Sequence, residues 1–171
     1  MVNKLPPDST CNRAALLRAL HAGHACSSIG TALYFTGLGA GLALIAAHGS
    51  AMQNADPALI ACGIAQLAGP VVSCIGGDIS SNAMESCYPG YERHKGWRYY
   101  GTSWALMAAD VVVAFAGTAL AQGINNPAGN PALGLVTLGA VVVIGIDADI
   151  NIIKAVVCPL AYSSRALRMV Q

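Results

Sequence analysis

Five polar side chains stand inside otherwise apolar stretches of this sequence: Gln66, Asp78, Asp110, Asp147 and Asp149. A carboxylate is costly in hydrocarbon and is kept where it faces a bundle interior or water. Carboxylates gathered at one depth favour cations in a pore. Asp110 lies six residues beyond Trp104, or about 9 Å along a helix. The spacing puts Asp78, Asp147 and Asp149 near the same ends of their own stretches, so the four acids are expected at similar depth. Asp147 and Asp149 point about 200° apart on a helix, so both cannot line one narrow pore. Two plainer readings stand beside the ion path. Asp147 and Asp149 lie in the headgroup zone if the helix has ended by Ala148, or Asp110 forms a structural bridge with Lys154 or another base. Gln66 needs a hydrogen-bonding partner in lipid. Pro70, one turn further on, removes a backbone bond and bends its helix, as a gate or merely as a bend.

The elements that must hold these residues are four apolar segments, at residues 26–47, 58–79, 104–122 and 132–153. Each has about 20 residues, enough to cross a roughly 30 Å hydrocarbon core as a helix. Of 171 residues, 55% are hydrophobic and 10% are charged, against roughly 25% charged in a soluble domain. So little charge cannot supply four polar helix faces, and the chain calls for lipid or a substitute for it. A net charge of +1 gives no reason to expect nucleic acid.

The connections fix a topology. The stretches 48–57 and 123–131 are short, rich in Gly, Asn and Pro, and free of Lys and Arg, which predicts tight hairpins with almost uncharged tips. The basic residues fall elsewhere: Lys4, Arg13 and Arg18 before the first segment, Arg93, Lys95 and Arg98 in the central stretch, and Lys154, Arg165 and Arg168 after the last. Tyr88, Tyr91, Trp97, Tyr99, Tyr100 and Trp104 crowd the same central stretch, as an interfacial belt would. The expected fold is all-α: four transmembrane helices in two hairpins, with both termini on one side. Its parts are a polar N-terminal segment (1–25), a first hairpin (26–79), a charged, aromatic-rich loop (80–103), a second hairpin (104–153) and a basic C-terminal segment (154–171).

A weak internal repeat aligns Pro57-Ala58-Leu59 with Pro131-Ala132-Leu133, and, three residues out of step, Asp78 with Asp149 and Cys87 with Cys158. Small residues recur at helical spacing: Gly37, Gly39 and Gly41 in the first segment, Ala65, Gly69, Ser73 and Gly77 in the second, and Gly117 in the third. Such ladders let helices approach closely in lipid, either within one chain or between copies in a homo-oligomer. The six cysteines form no C-x-x-C pair and the histidines are not at zinc-finger spacing, so no metal site is expected. The cysteines read as small apolar fillers, with a disulfide open to them in an oxidising compartment. No catalytic motif and no cofactor-binding motif is present, so no enzyme is expected.

The first 25 residues are polar and interrupted by proline, and do not read as a secretory signal. Taken with the size, the runs GLGAG (37–41) and AQLAGPVVSCIGG (65–77) and the paired hairpins, this resembles the small glycine-zipper, pore-forming effectors of bacterial type VI secretion systems. The resemblance spans the whole chain without a diagnostic motif. It implies a toxin carried by a secretion-tube protein, inserted into a rival cell's inner membrane, dissipating its proton-motive force by passing monovalent cations, and countered by a cognate immunity protein. The alternative is a resident inner-membrane protein, either a structural subunit or a small proton-coupled carrier. One-sided charge fixes sidedness for both, and for neither the compartment that the basic side faces.

Overall fold

A computed structural model describes residues 11–48, 57–123 and 131–171. The expected hairpin tips and Lys4 lie outside the described residues. Four α-helices follow in order: α1 (Arg13–His48), α2 (Pro57–Cys87), α3 (Gly96–Gly123) and α4 (Pro131–Val170). All four are long and apolar enough to cross a membrane. Their starts are legible locally. The Asn12 side chain accepts from the Ala15 N–H at 3.1 Å and caps α1. Proline at the first position suits α2 and α4, where the missing N–H would have no helical partner. The α2–α3 connection turns at Tyr88-Pro89-Gly90-Tyr91, where Gly90 has φ 85° and the Tyr91 N–H donates to the Tyr88 carbonyl at 3.0 Å.

Every helix outruns its apolar segment at the basic end. The stretch 1–25 is helical from Arg13, and the stretch after 153 continues α4 to Val170. The headgroup reading of Asp147 and Asp149 required the helix to end by Ala148; it runs on for another 22 residues, to Val170.

The chain divides into a terminal unit (Met1–Gly96 with Ala155–Gln171) and an internal unit (Trp97–Lys154). In the terminal unit α1 and α2 run antiparallel, held at backbone contact distance by glycines seven residues apart. Gly23, Gly30 and Gly37 of α1 meet Gly76, Gly69 and Cys62 of α2 in reverse order. A Cβ on Gly30 would lie 2.5 Å from the Gly69 carbonyl, and one on Gly76 would lie 2.5 Å from the Gly23 carbonyl. A seven-residue step drifts only about 20° around a helix, whereas a four-residue step drifts about 40°. That is why the expected four-residue ladder on α2 follows α1 from Ala65 through Gly69 to Ser73 and then leaves it, Gly77 meeting His94 and Pro159.

The end of α4 completes this unit. Leu16, Leu20, Met84, Cys87, Ala166, Leu167 and Val170 form its buried core, with Tyr88 and Tyr91 packed against it. Full burial of Leu20 and Met84 stabilises the unit by about 1.5–3 kcal/mol each. Arg13 Nη2 donates to the Val170 carbonyl at 2.7 Å, so the start of α1 and the end of α4 are adjacent. A disulfide joins Cys11 to Cys87 with 4.9 Å between Cα atoms, tying the start of α1 to the end of α2.

The middle of the unit is joined by buried hydroxyls. Ser27 donates to the Ser73 carbonyl at 3.2 Å, and Ser73 to the Val156 carbonyl at 2.7 Å. Thr31 reaches that same Val156 oxygen at 3.3 Å. Pro159 leaves the Ala155 carbonyl without its helical donor, and the Cys74 thiol donates to it at 3.5 Å. The carbonyl freed by Pro159 is thus satisfied from a neighbouring helix.

In the internal unit α3 and the first part of α4 are antiparallel. Ser103 donates to the Ala148 carbonyl at 2.8 Å near one end. Gly117 admits Thr137 at the other, where a Cβ would lie 2.8 Å from the Thr137 Cβ.

Candidate functional site

The internal unit holds three of the sequence-predicted acids. Asp110 lies fourteen residues into α3 from Gly96, about 21 Å along the axis. This is the middle of the helix. Its side chain sits in the α3–α4 seam between the Ser103–Ala148 and Gly117–Thr137 contacts. Gly145 faces it: a Cβ there would lie 3.8 Å from Asp110 Oδ2. Asp110 Oδ1 is buried and accepts no hydrogen bond from the described residues. Lys154 is not its partner; its Nζ stands over the Tyr99 ring, 5.8 Å from the centroid.

Asp147 and Asp149 follow Gly145 on α4 and are exposed, on either side of the buried Ala148. They lie about 3 and 6 Å along the axis from the level of Gly145. The three acids of this unit therefore lie within about 6 Å of one another along the axis, and only Asp110 faces the seam. Around them most of the large apolar side chains are exposed, Phe115 at 74%, Leu135 at 70% and Val136 at 69% among them. Two helices presenting such surfaces require lipid or further protein around them.

The remaining predicted residues belong to the terminal unit. Gln66 lies in the α1–α2 seam, where a Cβ on Gly41 would come within 3.5 Å of its Nε2. Asp78 is paired: His94 Nε2 stands 2.6 Å from its Oδ1. The Gly96 N–H donates to His94 Nδ1 at 3.2 Å, so the ring's proton belongs on Nε2, where it is donated to Asp78. The His94 side chain is 3% exposed, packed on Gly77 and 6.0 Å from the Tyr162 ring. Asp78 thus helps to anchor the inter-helix loop. Nearby, Tyr91 donates to Met169 Sδ at 3.3 Å. Burial, with a smaller push from Glu92 against a pull from Arg165, raises its phenol above the usual range, so it stays a neutral donor at physiological pH.

Of the predicted packing residues, Gly37, Gly41, Ala65, Gly69, Ser73, Gly77 and Gly117 all have their near neighbours within the chain. Gly39 faces open space, as do Gly63, Gly101, Gly134 and Gly139.

Sequence reasoning missed His94, the serine seam and the Cys11–Cys87 pair. The seven-residue spacing of glycines in α1 and α2 was the available signal for which faces meet, and with that register Cys11 falls opposite Cys87. The internal repeat carries over to the helix starts at Pro57 and Pro131. It does not carry over to roles, since Asp78 is paired and Asp149 exposed, and Cys87 is bridged while Cys158 is free.

No protein-family description, curated protein or solved structure matches this chain.

Proposed function

We propose that this membrane-inserting chain is a pore-forming antibacterial toxin whose internal unit, multiplied in a homo-oligomer, carries monovalent cations past Asp110 across a target inner membrane. The observation that supports this most is the Asp110 carboxylate, held mid-helix in a two-helix seam with one oxygen buried and unpartnered among the described residues. An uncompensated carboxylate at such depth is expensive, and a passing cation or proton offsets that cost. Asp147 and Asp149, exposed at nearby depth, would face a neighbouring copy. Close contact between copies would use the outward glycines Gly39, Gly63, Gly101, Gly134 and Gly139, since the inward ones are occupied. A secretion-tube protein as carrier and a cognate immunity protein belong to the same proposal.

The test is depolarisation. The full chain, directed to the periplasm of a susceptible bacterium, should collapse the membrane potential, read with a voltage-sensitive dye. An unchanged potential, with the chain shown to be in the membrane, overturns the reading. A resident carrier or structural subunit is the rival, and the one-sided Lys and Arg favour it, because resident proteins keep such residues in the cytoplasm.

A further inference from the structure

We infer that the basic end of the terminal unit faces an oxidising compartment, so that the chain lies in its membrane with the charge sense of an ordinary resident protein reversed. The inference deepens the proposed function by naming the side of entry.

Two rules meet at this end of the molecule and point in opposite directions. Arg13 and Arg18 at the start of α1, Arg93 and Lys95 in the loop, and Arg165 and Arg168 at the end of α4 would put it in the cytoplasm by the usual bias. The Cys11–Cys87 disulfide closes the same end, bridging the start of α1 to the end of α2 beside the core of Leu16, Leu20 and Met84. Structural disulfides persist in oxidising compartments and are rare in the cytoplasm, where thiols are kept reduced. The charge bias acts on chains inserted from the cytoplasm as they are made; it says nothing of a chain that arrives from outside. The redox rule holds whatever the route, so the disulfide decides. The apolar spans then cross from outside, and the stapled, charged end stays behind.

The bond forms by exchange with a thiol–disulfide oxidoreductase of that compartment. One thiolate of the pair attacks the oxidoreductase disulfide and makes a mixed disulfide, and the second thiolate displaces the oxidoreductase sulfur. One S–S bond forms in the chain as one breaks in the oxidoreductase, which takes the two electrons and both protons and leaves as a dithiol. Cys26, Cys62, Cys74 and Cys158 remain thiols.

Two measurements on the full chain test this. After export to the periplasm and denaturation, a polyethylene-glycol maleimide should add to four thiols before reduction and to six after it. Six before reduction overturns the proposal. The Cys11→Ser variant should show five in both states. Purified, oxidised chain is then added to preformed vesicles of phosphatidylethanolamine and phosphatidylglycerol. A membrane-impermeant phosphine is applied outside, at a dose that fully reduces the detergent-solubilised chain. Reduction to six thiols places the basic end outside, as inferred; persistence of four shows that it crossed and contradicts the inference. Depolarisation is scored separately. A correctly oriented, stapled chain that passes no ions would sink the pore and leave the orientation standing.

Discussion

The two units solve one problem, four apolar helices, in different ways. At its basic end the terminal unit is built like a small water-soluble bundle: three helix ends around Leu20 and Met84, a disulfide, and an anchored histidine. The internal unit consists of two helix segments whose large side chains point outward and whose seam holds an unpartnered carboxylate. The first spends Gly23, Gly30, Gly37, Gly69 and Gly76 on internal contact. The second leaves its apolar surface to be covered by lipid or by other copies. Both units present apolar helices to a membrane, and the contrast is that the terminal unit also has a stapled core at its basic end while the internal unit has none.

The largest expected effect comes from breaking the closest helix contact. Gly30→Leu drives a side chain into the Gly69 carbonyl and should cost 3 kcal/mol or more, at or beyond the top of the usual ~1–3 kcal/mol overpacking range. Loss of the α1–α2 pair would be read as a lower helical melting temperature in detergent. Gly39→Leu, facing open space, should leave that melt unchanged, so equal loss in both variants would disprove the assigned register. Next, Cys11→Ser should destabilise the terminal unit by about 2–5 kcal/mol. Hydrogen exchange should quicken in α1, α2 and the end of α4, with the segment 97–154 unaltered; uniform quickening would show that the units do not unfold separately. Ser73→Ala removes a buried donor to the Val156 carbonyl, which keeps Thr31, and should cost about 1 kcal/mol. Last, Asp110→Asn is expected to cost no stability: it removes an uncompensated charge and should leave the same melt unchanged or raised, yet it should lower cation preference in a bilayer.

The sequence carried the helices themselves, because 20-residue apolar runs bounded by Gly, Asn and Pro have few other solutions. It also marked Asp110 as the acid to watch. It did not show how far α3 extends before the apolar run, since the helix starts at Gly96 and the amphipathic turns before Trp104 do not read as part of that run. Asp78 was grouped with the other acids by its distance from a segment end. Its true partner, His94, is sixteen residues away across a turn, beyond the reach of any helical period. The four-residue ladder on α2 was legible from Ala65 through Gly69 to Ser73, which all meet α1, and failed at Gly77, which meets His94 and Pro159. Gly23 lies outside the first apolar segment, which hid the seven-residue series to which Gly30 and Gly37 belong.

The central claim, that the membrane-embedded chain is a cation path through its internal unit, is tested most directly by current across a planar bilayer holding the purified chain in a tenfold potassium chloride gradient. The account predicts discrete conductance with a reversal potential near the potassium equilibrium value, moving toward zero in Asp110→Asn. Absence of current from correctly inserted chain, or a reversal potential on the chloride side of zero, would contradict it.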